Sequence, residues 1–223
     1  MDLEDLRAVS YTATQPQVLL SYRAGLFPMG VGHGGTGRMG WWAPRRRGVL
    51  FPGDLRVTKS LRKSMKHFTF TTNCAFMHVI RSCANPRRTG SWITEEMIEL
   101  YQGLHDDGWA HSVEVWNDDE LVGGLYGVAI GSFFAGESMF HTQRDASKAA
   151  LAHLVRLFDG TDVVSGESRS TSADAGPGDW LIDTQWQTSH LASLGVSEIS
   201  GLEYSAHLDS ALRGSVCQHI LNK

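Results

Sequence analysis

The fold is decided by residues 111–140, which read HSVEVWNDDELVGGLYGVAIGSFFAGESMF. Apolar and polar residues alternate over 111–116, and two further apolar runs follow at 121–130 and 133–140. The polar segment 117–120, between the first two runs, is typical of a turn. Strands that follow one another through such short connections form an antiparallel meander. We therefore expect three antiparallel strands at the centre of the fold.

Segments on either side of this meander repeat their apolar residues at helical spacing. Thr94 and Asp145 are suited to cap two of the helices, because their side-chain oxygens can accept a backbone N–H. The polar stretch 159–179 is expected to form a surface loop. The sequence predicts strands at 68–72 and 180–184 and helices at about 60–67, 73–84, 95–107, 146–158, 189–194 and 202–212. This order predicts an α+β domain similar to those of acetyltransferases, a GNAT-like fold.

The region before these elements is harder to interpret. Residues 18–26 show one helical pattern, which ends at a Phe-Pro pair, and a glycine-rich segment follows at 30–40. That segment contains a GxGxxG pattern, but no predicted strand precedes it and no helix follows, so the context of a dinucleotide site is missing. We interpret the glycine-rich segment as a flexible connection.

Charge is unevenly distributed along the chain. The net charge is −4, yet twelve of the 20 basic residues lie between Arg38 and Arg88, where Asp54 is the only acid. A segregated basic segment of this kind attracts polyanions such as nucleic acid, although a solvated basic face is the simpler alternative. The expected nucleic-acid contacts are Arg45, Arg46, Arg47, Arg62, Lys63 and Lys66.

The composition excludes several classes of protein. A chain of 223 residues, 42% of them hydrophobic, can form a sizeable core. It has no run of about 18 apolar residues, so no membrane span is expected, and its first residues are acidic where a signal peptide is basic. The ten histidines and three cysteines show no metal-ligand spacing. We therefore expect reduced thiols, no metal site and a cytoplasmic location.

Two acids lie among strongly apolar neighbours. Glu137 interrupts the run FFAGESMF, and Asp183 ends the run WLID with Gln185 two positions later, on the same face of a strand. Apolar surroundings raise the pKa of an unpaired carboxyl group, which suits proton transfer or orientation of a substrate. Structural alternatives remain open, because Glu137 could pair with a buried lysine or arginine and Asp183 could cap the next helix.

Eight segments of the chain carry a resemblance to a known family. They are YRAGLFP (22–28), WWAP (41–44), GSWITEEM (90–97), HSVEVWNDDELVGGLYGV (111–128), FFAGESMF (133–140), DASKAAL (145–151), LIDTQ (181–185) and HLASLG (190–195). In this order they resemble the leucyl/phenylalanyl-tRNA–protein transferase family. The succession of GESMF, DASK and LIDxQ is the most specific part of the resemblance.

The resemblance implies an aminoacyltransferase. Such an enzyme moves leucine or phenylalanine, with methionine as a further candidate, from aminoacyl-tRNA to the N-terminal α-amine of proteins that begin with Arg or Lys. The new peptide bond creates an N-end rule degradation signal. The implied architecture is a small N-terminal domain over 1–48 and a GNAT-like catalytic domain over 49–223 with a mostly antiparallel mixed sheet. No cofactor or metal is implied, and we expect a monomer.

The resemblance also implies roles for individual residues. Asp183 would accept a proton from the attacking amine or orient it, Gln185 would orient the amine and the carbonyl group, and Glu137 would hold the N-terminus or basic side chain of the acceptor. Trp92 would contact the terminal adenosine and Tyr22 the aminoacyl end. The implied amino-acid pocket is lined by Leu125, Phe134, Met139, Leu151, Leu154, Phe158 and Ile182.

One departure from the family and two other functions bear on this interpretation. Met29 stands where the family has tryptophan, which leaves base stacking to Trp41 or Trp42, although packing is the simpler role for either indole. An acetyl-CoA-dependent N-acetyltransferase is a second hypothesis, but the expected R/Q-x-x-G-x-G/A loop is missing. An RNA-binding module without turnover is a third.

Overall fold

The computed structural model describes residues 3–87, 92–160 and 179–222. The predicted loop over 159–179 therefore lies almost entirely outside the described residues. The strands are β1 (Leu6–Ser10), β2 (Phe27–Gly30), β3 (Met39–Trp42), β4 (Arg46–Leu50), β5 (Thr69–Thr72), β6 (Ala110–Asn117), β7 (Glu120–Ile130), β8 (Phe133–His141), β9 (Leu181–Gln185) and β10 (Ser197–Ser200). The helices are α1 (Gln15–Arg23), α2 (Lys59–Met65), α3 (Phe76–Cys83), α4 (Glu95–Asp106), α5 (Ala146–Phe158), α6 (Ser189–Ser193), α7 (Gly201–Arg213) and α8 (Val216–Leu221).

The predicted meander forms the centre of a seven-stranded sheet. The strand order is β10-β4-β9-β8-β7-β6-β5, and β6, β7 and β8 are joined by antiparallel pairing. Strands β8 and β9 run parallel, whereas the other pairs in this sheet are antiparallel within the described residues. An α+β fold with a mostly antiparallel mixed sheet is therefore confirmed.

The N-terminal region differs from its predicted form. The glycine-rich segment is not simply a flexible connection, because the chain on either side of it pairs as an antiparallel hairpin of β2 and β3, with Phe27 opposite Trp42. Strand β1 adds to the same hairpin and completes a three-stranded sheet. Strand β4 crosses the predicted domain boundary at residue 48 and belongs to the large sheet. The boundary itself stays a prediction.

The large sheet separates two hydrophobic cores. Alternate residues of β7 point to opposite faces, as the pleat of a strand requires. Tyr126 and Val128 pack with residues of α3 and α4, whereas Leu125 and Ala129 pack with residues of α5. Within the described residues, no helix combines the length and the apolar character needed to cross a bilayer.

Two predicted helix caps have different outcomes. The Thr94 hydroxyl accepts the Met97 N–H at 3.4 Å, so this cap of α4 is confirmed. Asp145 directly precedes α5 but makes no side-chain cap, because its backbone is left-handed, with φ of 67°. Its carboxylate instead accepts the Ser64 hydroxyl of α2 at 2.8 Å. Asp145 therefore joins two helices instead of capping one.

We expect two buried histidines to make the fold sensitive to acid. His111 is 2% exposed and His153 is 8% exposed, and burial lowers the pKa of each from 6.5 to about 4. The unfolded chain therefore binds protons below about pH 6.5, before the folded chain does. We expect the free energy of unfolding, measured with urea, to fall by about 1–2 kcal/mol per histidine between pH 7 and pH 5. His153→Leu should remove its share of this pH dependence, and an unchanged dependence would contradict the assignment.

Candidate active site

The site lies where two parallel strands part. Strands β8 and β9 pair only from Phe133 and Leu181 to Ala135 and Asp183, and the register ends there. A cavity of about 300 Å³ opens beyond the last pair, between the second half of β8 and the end of β9. Separation of neighbouring strands exposes side chains that a continuous sheet would cover. The fold therefore places Glu137 and Gln185 on the wall of one cavity.

Most of the predicted amino-acid pocket lines this cavity. One predicted member does not, because the Phe158 ring packs behind Phe134, with ring centroids 5.9 Å apart, and against Trp180. The apolar lining consists of Leu125, Phe134, Met139, Leu151, Leu154, Ile182 and Leu191. The lining residues that the sequence does not predict include Thr188, His190 and Leu191, which lie at and directly before α6, and no local pattern distinguishes them.

Glu137 is a titratable group of the cavity wall whose pKa differs strongly from its usual value. Its side chain accepts the Tyr101 hydroxyl at 2.8 Å and the Gln185 amide at 3.2 Å. Burial raises its pKa to about 7, although the hydrogen bonds from Tyr22 and Tyr101 act to lower that pKa. The alternative in which Glu137 pairs directly with a buried lysine or arginine is wrong, because the groups that hydrogen-bond to its carboxyl are tyrosine hydroxyls and the Gln185 amide. Glu137 thus changes charge near neutral pH.

Tyr22 is buried and does not line the cavity. Its side chain is fully buried, and its hydroxyl lies 2.6 Å from that of Tyr101. Burial raises the pKa of both tyrosines well above 10, so both remain protonated and can donate hydrogen bonds. The implied contact between Tyr22 and the aminoacyl end does not fit this burial, because the Tyr22 hydroxyl is engaged with Tyr101 and with Glu137.

Gln185 connects the two acids. Its side-chain amide donates to Glu137, and its backbone N–H donates to Asp183 Oδ1 at 2.9 Å. The backbone has φ of 59°, a left-handed conformation that is uncommon for residues other than glycine. Asp183 and Gln185 lie close together, as predicted. Their contact is a hydrogen bond from the Gln185 backbone to the Asp183 side chain, at the turn that ends β9.

Asp183 is buried behind the cavity wall. Its side chain is 0% exposed, and both of its oxygens accept hydrogen bonds from Arg47, at 2.8 and 2.5 Å. The Tyr204 hydroxyl donates to Oδ2 at 2.9 Å. A carboxylate so surrounded has no path to a substrate amine, so direct proton acceptance by Asp183 does not fit this geometry. The helix-cap alternative is also wrong, because the Thr188 hydroxyl caps α6.

The six predicted nucleic-acid contacts fall into two groups. Arg47 is 1% exposed and paired with Asp183, so it cannot contact a phosphate, and its assignment to nucleic acid is wrong. The other five are exposed. Arg45 and Arg46 form ion pairs with Glu4 and Glu198, and Arg62, Lys63 and Lys66 lie on or next to α2. The last three make no ion pair with any described residue.

The tryptophans offer less stacking surface than expected. Trp42 is 1% exposed and its indole N–H donates to the Met29 carbonyl oxygen, while Trp41 is 8% exposed and donates to the Ser10 hydroxyl. Neither can replace the tryptophan missing at position 29, because both pack in the N-terminal sheet. Trp92 is half-buried and lies outside the cavity lining, with its main chain against the left-handed Gly35. Its contact with adenosine stays a prediction.

Comparison with known proteins adds an independent observation. The family model described as leucyl/phenylalanyl-tRNA protein transferase matches residues 49–209, which is most of the chain. The chain belongs to this family. A leucyl/phenylalanyl-tRNA–protein transferase of Nitrosomonas eutropha is 45% identical over 195 residues, covering 85% of this chain and 75% of the relative. One from Legionella pneumophila is 40% identical over 215 residues, covering 95% and 88%.

The match to the family also covers the cavity. A relative of the same name from Rhodopseudomonas palustris is 44% identical over 205 residues, which cover 89% of this chain and 83% of the relative. The matched region 49–209 includes both strands that part to form the cavity, and therefore Glu137, Asp183 and Gln185. Across residues 3–87, 92–160 and 179–222, no three His, Cys, Asp or Glu side chains group as metal ligands would.

Proposed function

We propose that this chain transfers leucine or phenylalanine from aminoacyl-tRNA to the N-terminal α-amine of proteins that begin with Arg or Lys. The observation that carries the proposal is the cavity of about 300 Å³, which combines an apolar lining with the carboxyl group of Glu137 on its wall. An apolar cavity accepts both leucine and phenylalanine through burial of their side chains and distinguishes similar sizes only modestly. The product would carry an N-end rule signal, and we place the reaction in the cytoplasm.

The chemistry asks mainly for positioning. The donor is an ester, which is already activated, and the free α-amine has a pKa of about 8, so a fraction of it is neutral at physiological pH. In the proposed step the amine nitrogen forms an amide bond with the donor carbonyl carbon and the ester C–O bond breaks. The proton lost by the amine ends on the ribose oxygen of the tRNA. Holding amine and ester together supplies the main acceleration.

The residues of the cavity divide this work. The apolar lining holds the donor side chain, and the Gln185 amide orients the reacting groups at the cavity mouth. The Glu137 carboxylate binds the guanidinium or ammonium group of the acceptor, because an ionised carboxyl group in partly buried surroundings attracts a cation strongly. The fold is in our proposal GNAT-like, supported by the mixed sheet whose parallel strands β8 and β9 part at the site. We propose that the enzyme acts as a monomer.

Transfer itself is the direct test. Radiolabelled leucine on tRNA should pass to a peptide that begins with Arg, and the product should be resistant to base hydrolysis because the new bond is an amide. The Gln185→Ala variant should transfer more slowly. Absence of transfer to any Arg- or Lys-starting peptide would overturn the proposed function.

The rate should depend on pH through Glu137. The folded pKa of Glu137 is raised to about 7, so its charge is present above pH 7 and lost below it. A peptide that begins with citrulline has the same α-amine as one that begins with Arg but lacks the cation. We therefore expect kcat/KM for the Arg peptide, divided by kcat/KM for the citrulline peptide, to fall as the pH decreases below about 7. Tyr101→Phe removes a hydrogen bond that lowers this pKa, so the fall should begin at higher pH.

Helix α2 is the proposed tRNA surface. Three exposed cations lie on this helix or directly after it: Arg62, Lys63 and Lys66. The hydrogen bond from Ser64 to Asp145 connects α2 to the residue before α5, and α5 contributes Leu151 and Leu154 to the cavity lining. Replacing the three cations with Gln should raise KM for aminoacyl-tRNA and leave kcat little changed. The slope of log KM against log salt should decrease by about one per lost phosphate contact. Arg213→Gln, an exposed control on α7, should change neither value.

A further inference from the structure

We propose that Arg47 and Tyr204 are positioning residues of the transfer reaction, which hold Asp183 and, through it, the main chain of Gln185. This inference rests on the proposed function for its kinetic consequences. It assigns a role to two side chains that do not line the cavity. It also gives Asp183 a role that requires no contact with substrate.

The hydrogen bonds of Asp183 are fully used by protein groups. Arg47 Nε donates to Oδ1 and Arg47 Nη2 to Oδ2, which is the parallel two-bond pairing that a guanidinium group makes with a carboxylate. Tyr204 adds a donor to Oδ2 and the Gln185 main chain adds one to Oδ1. Each oxygen therefore has two donors. A carboxylate held in this way is fixed in orientation and is not free to move toward a substrate.

Gln185 needs such a support. Its left-handed main chain, with φ of 59°, is a conformation that persists in non-glycine residues only where the surroundings determine it. The Asp183 carboxylate accepts its N–H, and that bond stabilises the turn at the end of β9. The same turn directs the side-chain amide to Glu137 at 3.2 Å. A displaced Asp183 would therefore move the Gln185 amide away from the cavity wall.

Arg47 is held from several sides. Its Nη1 donates to the Gly25 carbonyl oxygen at 3.0 Å, and its guanidinium carbon lies 4.4 Å from the ring centre of Tyr204 and 5.0 Å from that of Phe27. Cation–π contact with Tyr204 adds to the hydrogen bonds that both residues make to Asp183. The cluster of Arg47, Asp183 and Tyr204 thus links the segment after α1 with β4, β9 and α7. Lysine cannot reproduce it, because its ammonium is a compact point charge without the planar fork.

The chain offers a matched control for these hydrogen bonds. Glu114 is a second carboxylate that is 0% exposed, and the Ser112 hydroxyl donates to it as Tyr204 donates to Asp183. Neither Glu114 nor Ser112 lines the cavity. Ser112→Ala and Tyr204→Phe each remove one hydroxyl donor from a buried carboxylate. They should lower the melting temperature, but only one of them is placed to affect Gln185.

The first test compares these two variants in the transfer assay. We expect Tyr204→Phe to lower kcat by about tenfold, with KM for aminoacyl-tRNA unchanged, because the reacting groups are misplaced but the binding surfaces are intact. Ser112→Ala should keep the wild-type kcat. Equal kcat values for Tyr204→Phe and Ser112→Ala would overturn the positioning role.

The second test separates positioning from proton transfer. We expect Asp183→Asn to lower kcat by about 100-fold and to keep an acid limb in the pH profile. That limb should shift to lower pH, because the charge of Asp183 raises the pKa of Glu137. Loss of the acid limb in Asp183→Asn would make Asp183 the proton acceptor and overturn the inference. Arg47→Lys should show the same kinetic pattern as Tyr204→Phe.

A third measurement does not depend on activity. Hydrogen exchange of the Gln185 backbone N–H can be followed by NMR. Its rate should be at least about tenfold higher in Tyr204→Phe than in the wild type and unchanged in Ser112→Ala, because only Tyr204→Phe loosens Asp183, the acceptor of that N–H. Unchanged exchange in Tyr204→Phe would overturn the structural part of the inference. A wild-type protein without transfer activity would instead overturn the proposed function and leave this measurement valid.

Discussion

Replacing Glu137 with Gln should reduce kcat/KM for an Arg-starting peptide by about 100-fold or more, because removal of one charge from a partly buried ion pair costs about 2–5 kcal/mol. The loss should be much smaller with a citrulline-starting peptide, which lacks the cation. The Gln side chain keeps nearly the same size and can still accept the Tyr101 hydroxyl, so the cavity should retain its shape. The measurement is steady-state transfer of leucine to both peptides at pH 8.

The control for this variant is Glu99→Gln, on the exposed surface of α4 and two residues before Tyr101. It removes the same charge from the chain without touching the cavity, and we expect wild-type kinetics. Equal losses with the Arg and citrulline peptides in Glu137→Gln would show that Glu137 does not bind the basic side chain.

The largest effect on stability is expected from Asp183→Ala. This change leaves the Arg47 guanidinium buried without its partner, and breaking a buried ion pair in this way destabilises proteins by about 3–5 kcal/mol. Urea denaturation, followed by tryptophan fluorescence, measures the free energy of unfolding. Because burial raises the cost of an unpaired charge, we expect Asp183→Ala to lose far more stability than Glu137→Gln.

A double variant distinguishes the ion pair from simple packing. Arg47→Met combined with Asp183→Leu removes both charges, and its loss of stability should be smaller than the sum of the two single losses. Additive losses would contradict the view that the unpaired charge is the main cost. The double variant should nevertheless transfer leucine poorly, because Gln185 loses the acceptor of its N–H.

The large elements of the fold could be predicted from the sequence because their signals are local. Alternation and turn residues define β6, β7 and β8, and helical spacing defines α4 and α5, each within a window of about a dozen residues. The strands of the N-terminal sheet could not be found in this way. Each of β1, β2 and β3 has five or fewer residues, which is too short for an alternation of apolar and polar residues to be recognised. A glycine-rich segment also separates β2 from β3.

The candidate site was predicted in part for the same reason. Glu137 and Asp183 stand out because each is an acid within an apolar run, and the structure brings them to one strand junction. The sequence does not distinguish Arg47 from its neighbours Arg45 and Arg46, because the burial of Arg47 depends on a partner 136 positions later in the chain. The strand β4 gives the reason in retrospect, because Arg46 and Arg47 point to opposite faces.

The N-terminal sheet also bears on the residue that follows Gln185. The Trp186 indole N–H donates to the Asp5 carboxylate at 3.1 Å, and the Trp186 ring meets the edge of Phe27 with centroids 5.0 Å apart. Asp5 and Phe27 therefore contact the residue directly after Gln185. Changes at Asp5 would therefore act on the strand end that carries Gln185, although Asp5 does not line the cavity.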